Sequence, residues 1–309
     1  MRLLALPPLP LDLLTALFGD PRLQVFAPAD RTQDAVDEAL QTADLVLADW
    51  SPQTRLNDPG PRVVLVQQPG AGVDGIDVEA CTARGVVVAN TAGANAISVA
   101  EWCVSATFAL PRKTVEADAA VRRGDWPQTS LGARELAGLS VGVVGMGVIG
   151  AKAAQLFQAL GCATTYWSRS VHADAPVPYQ DLDALITTCD VVVLVIALSE
   201  QTRQLVDARR MKPGALLVNG ARGGVVDEVA LLEALNAGHV TAALDVFPVE
   251  PLPADSPLLA APGVVLSPHM AGSTNDAATR IVAAAKANLA RVLDGVPVID
   301  VVNGLTLRS

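Results

Sequence analysis

Short runs of valine and leucine alternate with alanine- and leucine-rich stretches along almost all of this 309-residue chain. Continuously apolar runs are typical of parallel strands that are buried on both faces, and the stretches between them have helical spacing. The pattern therefore predicts an α/β fold built from doubly wound parallel sheets. The candidate strands are Leu3–Leu6, Leu23–Phe26, Leu45–Ala48, Val63–Val66, Val86–Ala89, Val141–Val144, Ala163–Trp167, Val191–Ile196, Ala215–Val218, Ala242–Val246 and Val264–Leu266.

The number of candidate strands is about twice what one such sheet needs, so the chain is expected to form two domains. A long helical stretch from Ala96 to Arg123 marks the first boundary, and a final helix is expected over Asp276–Asp294. That last helix is predicted to return to the first domain. We therefore expect one domain from residues 1–95 plus 275–309, and a second, inserted domain from residues 96–274.

The net charge and the spacing of the cysteines limit which binding partners and which cellular compartment are expected. The net charge is −10 and the sequence pI is near 4.7, which disfavours binding to nucleic acid or to an anionic membrane surface. The apolar start, Met1–Phe18, is interrupted by prolines and reads as a strand, a turn and a helix rather than a signal peptide. The cysteines lack metal or redox spacing, which indicates buried thiols, no metal site and a cytoplasmic protein. They are Cys81, Cys103, Cys162 and Cys189.

A glycine-rich turn directly follows the predicted strand Ser140–Val144, and a helical pattern begins after it. Such a strand–turn–helix context is what a dinucleotide fold requires, because the helix N-terminus offers free N–H groups and a positive dipole end to the phosphates. The glycines permit the tight turn, the approach of a pyrophosphate and close packing of helix on strand. The expected cofactor contacts are Gly145, Met146, Gly147, Val148, Ile149 and Gly150.

The choice of cofactor depends on the end of the next strand, Ala163–Trp167. Sites that prefer NAD usually carry an acidic residue there, which accepts hydrogen bonds from the adenine ribose. This chain has Ser168 and Arg169 instead. A hydroxyl beside a guanidinium suits a 2′-phosphate, so NADP(H) is favoured over NAD(H). A solvated loop arginine is the alternative interpretation.

The chain contains three histidines, and only one follows a strand at the edge where open α/β sheets bind ligands. His172 lies in a polar loop and His239 in a turn after a helix, so both are expected at the surface. His269 follows the strand Val264–Leu266. An imidazole there is able to donate a proton to a carbonyl oxygen near neutral pH.

Two more strand ends carry partners for such chemistry. Arg222 follows Ala215–Val218 and is expected to grip a carboxylate and polarise the adjacent carbonyl. Glu250 follows Ala242–Val246 and is expected to accept a hydrogen bond from the imidazole of His269. Either residue alone fits a surface salt bridge equally well, but three successive strand ends of one dinucleotide domain favour a catalytic set.

Several segments together resemble the D-isomer-specific 2-hydroxyacid dehydrogenase family along nearly the whole chain. In that family the arginine binds the 2-keto acid, the glutamate orients the histidine, and the histidine is the acid/base. The resemblance implies these roles for Arg222, Glu250 and His269. The matching segments are Gly70–Asp74, Val99–Glu101, Gly145–Gly150, Met211–Gly214, Asn219–Gly223, Leu244–Phe247 with Glu250–Pro251, and Ser267–Gly272.

The resemblance also implies features that the residues alone do not. Backbone amides near Ala71 and Gly72 would hold the substrate carboxylate, and Asp245 would contact the nicotinamide carboxamide. The implied architecture is a Rossmann cofactor domain inserted into a flavodoxin-like substrate domain. A homodimer that pairs through the cofactor domain is implied as well.

The implied activity is reduction of a small 2-keto acid to the D-2-hydroxy acid, as in glyoxylate or hydroxypyruvate reductases. Phosphite oxidation on the same fold is one alternative. Formate oxidation is disfavoured, because the relatives that perform it resemble this pattern with glutamine in place of Glu250. A non-catalytic NAD(P)H-sensing corepressor or scaffold is the alternative from another class, and it would bind cofactor without turnover.

Overall fold

The computed structural model describes residues 1–49 and 54–307, and the chain divides into two compact units. The discontinuous unit consists of Met1–Asn95 and Asn275–Ser309, and the inserted unit of Ala96–Thr274. Within the described residues, the helices are too short or too polar to cross a membrane.

The discontinuous unit is built on a five-stranded parallel sheet in the order β2-β1-β3-β4-β5. This 2-1-3-4-5 order is that of flavodoxin-like folds. Its strands are β1 (Arg2–Ala5), β2 (Gln24–Phe26), β3 (Leu45–Leu47), β4 (Leu65–Gln67) and β5 (Val87–Ala89). Its helices are α1 (Leu11–Phe18), α2 (Gln33–Leu40), α3 (Val78–Ala83) and α9 (Asn275–Leu293).

Helices cover both faces of this sheet, which explains why most residues of its strands are apolar. One face packs against α2 and α3 through residues such as Leu40 and Cys81. The other face packs against α1 through Phe18 and against α9 through Ala285 and Leu289. Helix α9 and strand β1 therefore contribute to the same hydrophobic core.

The inserted unit is built on a six-stranded parallel sheet in the order β11-β10-β9-β8-β6-β7. The strand that comes first in sequence, β6, lies between β8 and β7. The order of strands therefore reverses at β6, and open α/β sheets bind ligands at such a point. The strands are β6 (Ser140–Val144), β7 (Ala163–Trp167), β8 (Val191–Leu194), β9 (Ala215–Asn219), β10 (Val240–Leu244) and β11 (Val264–Leu266). The helices are α4 (Ala96–Ala109), α5 (Thr114–Arg122), α6 (Val148–Ala159), α7 (Leu182–Thr188) and α8 (Glu228–Asn236).

Two apolar clusters cover the two faces of this second sheet. The predicted fold class, two doubly wound parallel sheets with a Rossmann-like domain, is therefore confirmed. Strand bounds differ by up to two residues from the sequence patterns. The shift matters at β10, which ends at Leu244, so that Asp245 begins the loop that follows.

The predicted single helix from Ala96 to Arg123 is wrong, because the structure has α4 and α5 separated by a turn. Pro111 lies in this turn and has no N–H to continue a helical ladder. Lys113 adopts the left-handed conformation with φ of 56°, which also ends a right-handed helix. The apolar spacing continues across this interruption, which is why it reads as one helix.

All four cysteines are buried and unbonded, as the sequence indicates. Burial, together with the nearby negative charge of Asp245, raises the pKa of the Cys103 thiol to about 12. A thiol in that state behaves as a small apolar side chain at neutral pH.

Candidate active site

The glycine turn after β6 packs closely on the end of β8. Gly145 has φ of 107°, a conformation that side chains rarely adopt, and its N–H donates to the carbonyl of Trp167 at 2.8 Å. A Cβ added at Gly145 would lie 2.6 Å from the carbonyl oxygen of Val195, and one added at Gly150 would lie 1.9 Å from the carbonyl oxygen of Gly145. Both positions therefore require glycine.

The start of α6 fits the phosphates of a dinucleotide. No side chain caps this helix at Gly147, so its first N–H groups and its positive dipole end are open to an anion. A Cβ added at Gly147 would meet nothing within 4 Å. Met146 is buried, which anchors the turn, while Val148 is 56% exposed. The backbone between these two residues therefore lies at the edge of the sheet.

Ser168 and Arg169 follow β7, but only the arginine side chain is exposed. Ser168 is buried, and its hydroxyl donates to the carbonyl of Ser170 at 2.5 Å. Arg169 donates from Nη1 to Oε1 of Gln201 at 3.4 Å. The hydroxyl of buried Tyr166 accepts the His172 N–H at 2.8 Å and fixes the far end of this loop. Of these two side chains, the Arg169 guanidinium is thus the one that is available to a phosphate.

His269 and Glu250 form a direct pair. Nδ1 of His269 lies 2.7 Å from Oε2 of Glu250, and Oε1 of the same carboxylate accepts the Phe247 N–H at 2.9 Å. Because an ionised carboxylate only accepts hydrogen bonds, Nδ1 carries a proton and Nε2 is the nitrogen that exchanges one. The predicted orienting role of Glu250 depends on this contact with Nδ1.

The pKa of Glu250 is lowered even though burial alone would raise it. The hydrogen bonds from His269 and from the Phe247 amide lower it, and the positive charges of His269 and Arg222 add to the effect. The carboxylate therefore stays ionised at neutral pH and remains an acceptor for the imidazole.

The loop that carries Arg222 packs against the loop that carries Glu250. A Cβ added at Gly223 would lie 2.0 Å from the carbonyl carbon of Phe247, so only glycine permits this approach. Arg222 is half-buried, and its Nη1 donates to the carbonyl of Ala221 at 2.7 Å. The side chain of Asn219, which is 1% exposed, donates to the Arg222 carbonyl at 3.1 Å and accepts the Ala221 N–H at 3.0 Å.

Asp245 follows β10, and the loop that carries His269 forms hydrogen bonds to its side chain. Its carboxylate accepts Oγ of Ser267 at 2.6 Å, the Met270 N–H at 2.9 Å and the Ala271 N–H at 2.7 Å. Asp245 is 1% exposed, and its carbonyl accepts the His269 N–H at 2.8 Å. The residue pattern does not predict this scaffolding by Asp245, Ser267 and Asn219; it shows only polar residues at or just after the end of an apolar strand.

The two predicted substrate-binding residues Ala71 and Gly72 and the other two histidines belong to other segments of the chain. Ala71 and Gly72 are in the discontinuous unit, in the turn that follows β4. His172 is exposed, and Nε2 of half-buried His239 bonds the carbonyl of Met211 at 2.9 Å. Neither histidine contacts Glu250 in the part of the chain that the structure describes.

The chain is similar in sequence to proteins of one known family. Residues 104–271, more than half of the chain, match the family described as "D-isomer specific 2-hydroxyacid dehydrogenase, NAD binding domain". A D-3-phosphoglycerate dehydrogenase of Archaeoglobus fulgidus is 36% identical over 247 residues, which are 77% of this chain and 47% of that protein. The chain thus spans about half the length of the first curated relatives it matches.

Two further relatives match over most of their length. A glyoxylate reductase of Aeropyrum pernix is 38% identical over 251 residues, which are 76% of this chain and 75% of that protein. The crystal structure of an NADPH-dependent glyoxylate/hydroxypyruvate reductase from Sinorhizobium meliloti, in complex with NADP and malonate, has a TM-score of 0.87 and 26% identity, and covers 100% of this chain and 99% of that chain. The chain belongs to the D-isomer-specific 2-hydroxyacid dehydrogenase family.

Proposed function

We propose that this protein reduces a small 2-keto acid to the D-2-hydroxy acid. The observation that carries the proposal is the 2.7 Å pair of His269 and Glu250, with the Arg222 loop packed against the loop that carries Glu250. In this reaction Nε2 of His269 donates the proton to the carbonyl oxygen, while Glu250 holds the imidazole through Nδ1. Arg222 binds the substrate carboxylate and polarises the carbonyl, and the amides of Ala71 and Gly72 share that carboxylate.

A reduced nicotinamide dinucleotide, when bound, supplies the hydride that C2 of the keto acid receives. The backbone from Gly145 to Gly150 would hold its pyrophosphate, and Asp245 its carboxamide. We favour NADP(H) over NAD(H), because Arg169 is exposed after β7 and its neighbours in sequence, Ser168 and Ser170, are not acidic.

The proposed substrates are glyoxylate and hydroxypyruvate. The Aeropyrum relative is named as a glyoxylate reductase, and the Sinorhizobium relative as a glyoxylate/hydroxypyruvate reductase. The homodimer implied by the family resemblance and the cytoplasmic location indicated by the sequence stay predictions.

The test is turnover of glyoxylate, hydroxypyruvate, pyruvate and phenylpyruvate, each with NADPH and with NADH. We expect reduction of at least one acid, with NADPH preferred, and loss of about 100- to 10,000-fold in His269→Ala, the usual contribution of a positioned acid. His239→Ala is the matched control and should retain activity. Cofactor binding without turnover of any of the four acids would contradict the proposal, and faster turnover with NADH would contradict the cofactor preference alone.

A further inference from the structure

The turn that carries Ala71 and Gly72 is tied to one neighbouring segment by two consecutive carbonyls. Nδ2 of Asn90 donates to the carbonyl of Ala71 at 2.8 Å. The backbone N–H of Thr91 donates to the carbonyl of Gly70 at 3.2 Å. Two successive peptide units of the turn are therefore anchored from the same side, one by a side chain and one by the backbone.

These anchors determine where the amides of the turn point. In a planar trans peptide the C=O and the N–H lie on opposite sides of the chain. The carbonyl of Gly70 belongs to the same peptide unit as the N–H of Ala71, and the carbonyl of Ala71 to the same unit as the N–H of Gly72. Both N–H groups consequently point away from Asn90 and Thr91. Neighbouring amides that face one side make an anion-binding concavity.

The neighbouring segment is itself held in place. Its strand β5 makes an antiparallel bridge from Ala89 to Val301, and the Asn90 N–H donates to the carbonyl of Asp300 at 3.1 Å. Thr91 is 1% exposed. Asn90 is only half-buried, so its side chain is not needed to fill the core, and its identified contact is the one with the turn.

We propose that Asn90 is a positioning residue for substrate binding: its side-chain amide fixes the Ala71–Gly72 peptide so that the Gly72 N–H faces the carboxylate of the 2-keto acid. This inference rests on the proposed function. Asn90 acts through the peptide and does not touch the reacting atoms. Because the bound carboxylate has the same charge before and during hydride transfer, the contact should affect the binding of substrate rather than the rate of the bound complex.

Substitution with aspartate gives the sharpest perturbation. A carboxylate oxygen near the Ala71 carbonyl sets two acceptors against each other, which drives the peptide to rotate and withdraws the Gly72 N–H. In Asn90→Asp we expect KM for the keto acid to rise about 10- to 100-fold, as for one lost hydrogen bond to a charged group. The kcat and the KM for cofactor should stay within about twofold of the wild type. Asn90→Ala removes the donor without adding an acceptor and should give a smaller rise in KM.

Asn303→Ala is the matched control, because Asn303 also bonds the β5 region through its side chain, to Val88 and Val86, yet does not bond the turn. It should lower the melting temperature and leave KM unchanged. If the wild type reduces keto acids and Asn90→Asp has an unchanged KM, the positioning role is overturned while the proposed function stands.

A second measurement applies even if the wild type turns over no keto acid. In ¹⁵N-labelled protein titrated with sodium oxalate, we expect the Gly72 amide signal to shift in the wild type and to shift far less in Asn90→Asp. Equal shifts in both proteins, or none in the wild type, would overturn the inference. Lack of turnover together with the expected difference would refute only the proposed function.

Discussion

Replacing Glu250 by glutamine tests the central pair, because the side chain keeps its size but loses one acceptor. In the wild type each carboxylate oxygen accepts one N–H, from Nδ1 of His269 at 2.7 Å and from Phe247 at 2.9 Å. Glutamine has one oxygen and one NH₂ group, so it can satisfy only one of these donors. The other contact becomes a meeting of two donors.

The size of the effect follows from which contact is lost. If the NH₂ group faces the imidazole, it opposes the proton on Nδ1 and removes the acceptor that holds the ring for the proposed proton transfer. If it faces Phe247, the loop shifts and the ring loses its fixed position. A hydrogen bond to a charged group contributes about 1.5–3 kcal/mol, which corresponds to about 10- to 150-fold in kcat/KM.

The assay is reduction of glyoxylate or hydroxypyruvate from pH 5 to 9, with Glu250→Gln compared with the wild type. The pKa of Glu250 is lowered, so its charge is present above that pKa and is lost only as the pH falls through it. The wild type therefore keeps the carboxylate over the whole range, and the variant, which lacks it, should be slower throughout that range. Glu233→Gln, which changes a surface ion pair with Arg209, should not slow the reaction. A Glu250→Gln enzyme within twofold of wild-type kcat/KM at every pH would refute the reasoning.

Two further predictions concern the cofactor unit. Gly150→Ala places a Cβ 1.9 Å from the Gly145 carbonyl oxygen and should destabilise the fold by about 1–3 kcal/mol, as overpacking does. In Gly147→Ala the added Cβ meets nothing within 4 Å. This variant should keep the wild-type melting temperature but bind cofactor more weakly, which calorimetry would measure. Burial alone would raise the pKa of Asp190, but the Lys212 ammonium at 2.7 Å helps to lower it from 3.8 to about 2. Asp190→Asn should therefore cost about 2 kcal/mol of unfolding free energy in urea at pH 7. The difference between the proteins should disappear as the pH falls from about 4 to about 2, and an Asn variant as stable as the wild type at pH 7 would contradict this account.

The alternation of apolar strands and helices predicts the fold class because parallel sheets leave a direct trace in sequence. A strand buried on both faces must be apolar at every position, so β8, with four consecutive buried residues, is visible as Val191–Leu194. The ends of strands leave a weaker trace. At β10 the predicted strand extends two residues too far, across Asp245 to Val246, which is buried although it lies outside the strand.

Helix interruptions are harder to predict than helix existence. The separation of α4 from α5 depends on the turn around Pro111 and on the left-handed Lys113. A lysine gives no local preference for that conformation. Only the surrounding tertiary structure determines it, so the sequence pattern predicts one helix where there are two.

The predicted catalytic residues share a property that sequence reveals: each is a charged or titratable side chain just beyond the end of an apolar strand. In a parallel sheet these ends meet at one edge, and the structure places His269 and Glu250 2.7 Å apart. The scaffolding residues lack such a mark. Asn90 and Asn219 are ordinary turn-forming residues by type, and their roles depend on which carbonyl lies within reach in three dimensions.

Asp245 shows why the catalytic loop needs that hidden scaffold. His269 has φ of 51°, a conformation that costs a non-glycine residue about 1–3 kcal/mol unless its surroundings fix it. Three donors of the same loop, from Ser267, Met270 and Ala271, converge on the buried Asp245 carboxylate. Hydrogen bonds to a charged group are strong enough, at about 1.5–3 kcal/mol each, to offset that strain. The Asp245 carboxylate thus holds His269 in the geometry in which it meets Glu250, so the proposed nicotinamide contact and the proposed proton donor would depend on one carboxylate.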